Sequence, residues 1–249
     1  MLEQGRLAEA EERQVAERLQ QEFLDGVAHD LRNPLAAVKG QAQLLLRQLT
    51  KRGAVAPDRL LSGLHGIDAS VEQMTAQIAE LQDVARLRSG QRLELRTVRG
   101  DLVALVHEAV EGARQISSRH DIDVVAAVPM LSGRWDLLRL RRVIDNLLGN
   151  AIKYSPRGGN VLVSLAVEAR GREQWARLEV RDGGVGIPAA DLGRIFERFR
   201  RGSNVTGRIR GTGIGLAGAR QIVEQHGGAI AIASDEGRGT VVTVFLPLV

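Results

Sequence analysis

Cysteine is absent from the 249 residues, so disulfides and thiolate metal sites are excluded and a reducing compartment fits. Aromatic residues make up only 3%, so a core must be built from Leu, Val, Ile and Ala. Lysine is scarce as well. Lys39, Lys51 and Lys153 are the three, and the other basic residues are arginines, which stay protonated and carry the isoelectric point to about 10.2. The net charge is only +4, which reads as a solvated Arg-rich surface rather than a nucleic-acid or membrane footprint. No apolar run reaches the roughly 20 residues needed to cross a bilayer. The opening MLEQGRLAEAEERQ is acidic and polar, unlike a signal or transit peptide. What remains is an ordinary globular composition, 44% hydrophobic and 26% charged, in a chain longer than one compact domain usually needs.

Residues 1 to about 89 lack strand-like alternation and read as helix. Leu24, Ala28, Leu31, Leu35, Val38, Ala42, Leu45 and Leu49 form one heptad seam. Leu60, Leu64, Ile67, Val71, Met74, Ile78, Leu81 and Ala85 form another. Between them TKRGAVAPD carries a glycine and a proline that break the helix, so two antiparallel helices form a hairpin. One hairpin buries each seam only partly, whereas two hairpins bury both in a four-helix bundle, which predicts a homodimer. The alternative is a hairpin packed on its own second domain. Upstream, Val15, Leu19 and Phe23 fall out of phase with the first seam. The expected organisation is an N-terminal helical linker over 1–22, a hairpin over 23–89, a linker over 90–97 and a second domain over 98–249.

From residue 98 the pattern mixes helix and strand. DLVALVHEAVEGARQISSR is an amphipathic helix, DIDVVAAVP a short strand, and LLRLRRVIDNLLGNAIKYS a long helix capped by Asp136. NVLVSLAVEA and QWARLEVRD are strands of period two, and GIGLAGARQIVEQHGG is a helix stopped by glycines. AIAIAS and GTVVTVFLPL close as a strand pair. The fold class is therefore a helical hairpin followed by an α/β sandwich, its largely antiparallel sheet covered on one face by helices.

Two clusters carry chemistry. His29 follows the seam residue Ala28 and so lies beside the bundle seam rather than in it. A neutral imidazole is a good nucleophile near neutral pH, and Asp30 can orient it and take its proton. Pro34 breaks the helical ladder one turn later. His65, His107, His120 and His226 have no such context. Farther on, Asn146, Asn150 and Lys153 share a face of an otherwise apolar helix. Two readings stand for that face, a pair of satisfied buried amides or a hard-oxygen site for Mg²⁺ beside phosphate. Asp182 in RDGGVGIP can accept the exocyclic amine of adenine, with Gly184 and Gly186 allowing close backbone approach. Gly211, Thr212, Gly213, Gly215 and Leu216 in GTGIGL open a helix whose N–H groups can take phosphate.

The stretch FLDGVAHDLRNPLAAVKGQAQLLL resembles the phosphoacceptor box of histidine kinases, with His29, Asp30, Arg32, Asn33, Pro34 and Leu35 in its fixed positions and Asp in place of the commoner Glu at 30. NLLGNAIKYS, RDGGVGIP, IFERFRR and GTGIGL resemble, in order, the N, first glycine, F and second glycine boxes of the GHKL ATP-binding fold. The resemblance covers residues 15 to 249. It implies a sensor histidine kinase core that uses ATP and Mg²⁺ to phosphorylate His29 and passes the phosphoryl group to an aspartate of a response-regulator receiver domain. It further implies Asn150 as the Mg²⁺ ligand, Tyr154 near the adenine, Phe196 and Phe199 as lid anchors, and a mobile ATP lid over 200–210. Arg208 or Arg210 reaches the γ-phosphate on this reading, and a solvated basic loop explains both equally well. Asn33 matches an acid-x-x-Asn pattern associated with regulator phosphatase action, or is merely the residue before Pro34. The resemblance places the chain in the cytoplasm, with any membrane tie made through a sensor region absent from this chain. A GHKL ATPase or anti-sigma-type kinase would lack the box around His29, and a non-catalytic phosphotransfer module would not need the asparagine and glycine boxes.

Overall fold

A computed structural model describes residues 34–50, 56–88, 94–171, 173–209 and 211–248, except the side chains of 72, 73, 76, 77 and 79–88. The chain divides into two compact units, Met1–Gln91 and Arg92–Val249.

In the first unit, α1 spans residues 34–50 and α2 spans Pro57–Arg88. Pro57 opens α2, where its missing N–H costs no bond, and Asp58 lies in the first turn at the positive helix end. The two helices run antiparallel and touch through glycines. A β-carbon on Gly63 would lie 3.0 Å from Cδ1 of Leu45, and one on Gly66 would lie 2.6 Å from Oε1 of Gln41. The seam is only partly covered within one chain. Val38, Ala42, Leu45, Ile67 and Met74 are half-buried, while Leu35, Leu49, Leu64 and Val71 remain exposed at 54%, 44%, 48% and 47%. No helix among the described residues is long and apolar enough to cross a membrane.

The second unit runs β1 (Val98–Asp101), α3 (Leu102–Ile116), β2 (His120–Ala126), β3 (Ser132–Trp135), α4 (Leu137–Lys153), β4 (Gly159–Arg170) and β5 (Glu173–Asp182). It continues with the short α5 (Ala189–Leu192), then α6 (Gly215–Gln225), β6 (Ala229–Asp235) and β7 (Gly239–Pro247). Five strands form one sheet in the order β2-β4-β5-β7-β6, parallel only between β2 and β4. Alternate residues turn one face inward. Val161, Val163, Leu165, Ala176, Leu178, Val180, Val242, Val244 and Leu246 are buried against the apolar stripes of α3, α4 and α6. The opposite face carries charge, with Glu179 paired to Arg177 at 3.2 Å and to Arg181 at 3.3 Å.

Both long helices of this unit start on an aspartate. Asp101 accepts the amide of Val103 at 3.0 Å and Asp136 that of Arg139 at 3.1 Å, each satisfying an otherwise unpartnered first-turn N–H. The α/β sandwich matches the sequence expectation. A two-stranded ribbon of β1 and β3 was not anticipated, because VRGD and SGRW offer no apolar alternation. Asp101 secures it by also accepting the amide of Leu131 at 2.9 Å.

Candidate functional site

The apolar residues of α4, Leu140, Val143, Ile144, Leu147, Leu148 and Ala151, are buried against the sheet and its neighbouring helices. That fixes the opposite edge of the helix and places Asn146, Asn150 and Lys153 on it, each half-buried. Nδ2 of Asn150 donates to Oδ1 of Asn146 at 3.1 Å, so one amide of the pair satisfies the other and Oδ1 of Asn150 is spared from that bond. The helix stops at Tyr154, whose own N–H closes on the carbonyl of Asn150 at 2.9 Å. Nζ of Lys153 sits 5.5 Å from the centre of the Tyr154 ring.

The end of β5 meets this terminus. The amide of Val185 donates to the carbonyl of Tyr154 at 2.9 Å. Gly184 passes so close that a β-carbon would overlap the Tyr154 carbonyl and lie 2.7 Å from Oγ of Ser155. Gly186 has φ 64°, and a side chain there would run into the carbonyl of Asp235. Oδ1 of Asp182 accepts the amide of Gly184 at 2.8 Å. Burial pushes the Asp182 carboxyl above its usual range, against the pull of the backbone N–H groups of Gly184 and Thr240.

The glycine loop completes the site. A β-carbon on Gly211 would lie 2.6 Å from Nζ of Lys153 and 3.5 Å from Oη of Tyr154. Gly215 begins α6 and lies against the side-chain amide of Asn146. Gly213 has φ 70° and accepts the amide of Phe199 at 2.9 Å. Phe199 itself has φ 64°, rare for a residue with a side chain. Thr212 and Leu216 are half-buried, Leu216 against the core. Phe196 is half-buried, with the Arg220 guanidinium 5.6 Å from its ring.

Residues 200–209, the described part of the expected lid, contain turns held by specific bonds. The amide and hydroxyl of Ser203 both donate to Oδ2 of Asp191, at 2.7 and 2.8 Å, and Nδ2 of Asn204 donates to the carbonyl of Gly186 at 3.0 Å. Val205 is buried beneath the segment. Asp191, Ser203 and Asn204 carry no sequence signal for this role, because the contacts join residues up to 18 apart through loop geometry. Arg208 is exposed. His29, Asp30, Asn33 and Arg210 lie outside the described residues.

The site therefore gathers Asn146, Asn150, Lys153, Tyr154, Asp182, Gly184, Gly186, Gly211, Gly213 and Gly215 around the C-terminal end of α4 and the N-terminal end of α6. Backbone without side chains, an ammonium group and a helix N-terminus suit polyphosphate. Asn150 can offer a hard oxygen to a divalent ion. Among the described residues no group of three His, Cys, Asp or Glu side chains could hold one alone, so phosphate and water would complete its shell.

Residues 135–249 match the family model described as histidine kinase-, DNA gyrase B- and HSP90-like ATPase, and residues 19–90 match the His Kinase A (phospho-acceptor) domain. The chain is 35% identical over 232 residues to the sensor histidine kinase Hik2 of Synechocystis, covering 84% of this chain and 52% of that protein. It is 30% identical over 243 residues to the sensor histidine kinase WalK of Bacillus subtilis, covering 95% of this chain and 38% of that protein. It thus spans about half or less of the length of these relatives. Among solved structures, a mycobacterial sensor histidine kinase, MprB, superimposes with a TM-score of 0.53 at 31% identity, over 61% of this chain and 97% of that one.

Proposed function

The chain belongs to the sensor histidine kinases, and from that premise we propose that it is an ATP-dependent protein histidine kinase core that phosphorylates its own His29. The observation that carries the proposal is the convergence of the Asn146–Asn150 pair, Asp182 and the Gly211–Gly215 loop on one site.

In this reading Asp182 takes the exocyclic amine of adenine, and Gly184 and Gly186 let the backbone approach the ring. Tyr154 packs near that ring. The glycine loop and the start of α6 hold the phosphates, and Lys153 meets their charge. Asn150 would hold Mg²⁺, which supplies charge neutralisation at the phosphate oxygens when bound. Phe196 and Phe199 anchor the segment over the site, with Arg208 or Arg210 as a candidate for the γ-phosphate.

His29 is the nucleophile. A ring nitrogen forms a bond to the γ-phosphorus as the bond from that phosphorus to the β–γ bridging oxygen breaks. ADP leaves with the electron pair, and Asp30 takes the proton of the other ring nitrogen. Positioning and charge neutralisation supply most of the rate. The phosphoryl group then passes to an aspartate of a response-regulator receiver domain. Asn33 positions a water for the reverse task, removing phosphate from that regulator.

The exposed half of the hairpin seam supports a homodimer, in which Leu35, Leu49, Leu64 and Val71 are covered by a second copy. In this account 1–22 is a helical lead, 23–89 the dimerising phosphotransfer hairpin, 90–97 the linker and 98–249 the nucleotide domain. The protein works in the cytoplasm.

The reading is tested by mixing subunits carrying His29→Gln with subunits carrying Asn150→Ala and adding labelled ATP. Labelling of the mixture, with neither variant labelled alone, supports a dimer that phosphorylates across subunits. Labelling of His29→Gln alone would sink the assignment.

A further inference from the structure

His226 and Asp136 are buried polar groups that the nucleotide site does not use. Asp136 caps the start of α4 and His226 ends α6. The amide of Asp136 donates to Nε2 of His226 at 2.9 Å, and Nδ1 of the same ring lies 2.7 Å from the carbonyl oxygen of Ile222. One nitrogen accepts while the other donates, which only a neutral imidazole protonated on Nδ1 can do. The Asp136 carboxylate is committed elsewhere. It accepts the amides of Arg139 at 3.1 Å and Arg96 at 3.0 Å, and Nε of Arg139 stands 3.4 Å away.

The same two helices meet again at the start of α6, where Gly215 lies against Asn146 in the middle of α4. Asp136 and Asn146 are separated by ten residues, about 15 Å of helix. The helices are therefore pinned twice, by the Asp136–His226 bond where α6 ends and by the Asn146–Gly215 contact in the nucleotide site where α6 begins. The charged groups facing His226 are Asp136 and Arg139, from the start of α4. Arg96 donates its backbone amide to the Asp136 carboxylate, and the two glycines that follow His226 pack on Pro247, Phe245 and Val223, none of which titrates.

We propose that His226 is a positioning residue for nucleotide binding: its neutral ring holds the end of α6 on the cap of α4 and so sets Gly215 against Asn146, and its protonation loosens that register. A protonated ring has two donors and no acceptor, so the buried Asp136 amide would face an N–H and lose its partner. Burial and Arg139 keep the ring neutral, while Asp136 and the Ile222 carbonyl favour the proton. The inference rests on the nucleotide reading of the site given above.

The test compares the whole protein with His226→Gln, whose amide oxygen can accept the Asp136 N–H at every pH. Affinity for a non-hydrolysable ATP analogue with Mg²⁺ is measured by calorimetry between about pH 8 and about pH 5.5. Taking the ratio of the two proteins cancels the ionisation of the nucleotide itself. The expected ratio is near one at the alkaline end, with the unsubstituted protein binding about fivefold or more weakly than the variant at the acid end. A ratio that stays constant overturns the proposal. If neither protein binds the analogue at any pH, the kinase reading falls and this inference with it. Should His226→Gln fail to fold, hydrogen exchange at the Asp136 amide of the unsubstituted protein decides. Protection that is lost in acid and restored by saturating analogue supports the coupling, and protection unchanged across the range overturns it.

Discussion

Gly215 leaves no room for a side chain beneath Asn146. A β-carbon there would overlap Nδ2 of Asn146 and lie 2.8 Å from its Cγ. Gly218, one turn on in the same helix, has nothing within 4 Å of the corresponding position. Gly215→Ala is therefore expected to displace Asn146, destabilise the protein by about 1–3 kcal/mol and weaken ATP-analogue binding by about tenfold or more. Gly218→Ala should leave binding unchanged and stabilise the helix by up to about 1 kcal/mol. Thermal melts and calorimetry of the two variants separate them, and equal behaviour would contradict the packing described.

Much of this pairing was legible before any coordinates. The spacing of Asn146, Asn150 and Lys153 puts them on one helical face whatever surrounds them, and the Asp136 cap could be read from its place before an apolar period. The order of the asparagine and glycine boxes marked the site. What the sequence could not give were bonds between distant residues. Asp136 and His226 are 90 positions apart, and neither His226 nor its flanking glycines signals a partner. The Ser203–Asp191 and Asn204–Gly186 bonds depend on how two loops fold against each other. The β1–β3 ribbon was missed for a related reason. Its strands are four residues each and lack apolar alternation, and the Asp101 carboxylate ties them at one end.

The Asn146–Asn150 bond predicts unequal losses. Asn150→Ala should weaken the analogue strongly when Mg²⁺ is present and little when the ion is chelated, because the metal oxygen is what is lost. Asn146→Ala removes the acceptor that holds Asn150 and the amide that packs on Gly215, and should weaken the analogue by about tenfold, roughly 1.4 kcal/mol, with or without the ion. Titrations in both conditions check this. A loss for Asn150→Ala that ignores Mg²⁺ would argue against its assignment as the ligand.

The Ser203–Asp191 bonds predict a protease result. Asp191→Ala should hasten tryptic cleavage after Arg200, Arg201 and Arg208 while sparing arginines in the sheet. The two Ser203 donors, backbone first, hold the Asp191 carboxyl below its ordinary range. The carboxylate is thus charged throughout neutral pH, and the latch is lost only as pH falls through that lowered value. The effect of Asp191→Ala should accordingly be the same at mildly acid and neutral pH. Cleavage rates measured at both would show it.

His226 predicts a pH dependence of stability. Burial holds its folded-state proton affinity below the ordinary value of about 6.5, so the unfolded chain binds the proton more readily. Its stabilising contribution is complete above that unfolded value and fades as pH falls through the lower, folded one. Urea denaturation should therefore show the unsubstituted protein losing more stability than His226→Gln as pH drops below about 6.5. Parallel losses would place the acid sensitivity elsewhere.

Asn33 gives a prediction about the regulator. If it positions a water, Asn33→Ala should keep labelling at His29 and slow dephosphorylation of the regulator by about tenfold or more. Unchanged dephosphorylation would count against the second activity.

The central claim is that His29 receives the γ-phosphoryl group from a nucleotide held by Asn150, Asp182 and the glycine loop. The most direct measurement is incubation of the protein with γ-labelled ATP and Mg²⁺, after which one portion is digested and mapped at alkaline pH and another is treated with acid to test the lability of the label. The account predicts acid-labile label confined to the peptide that contains His29, absent from His29→Gln although that variant still binds the ATP analogue. Acid-stable label, or label that persists in His29→Gln, would contradict it.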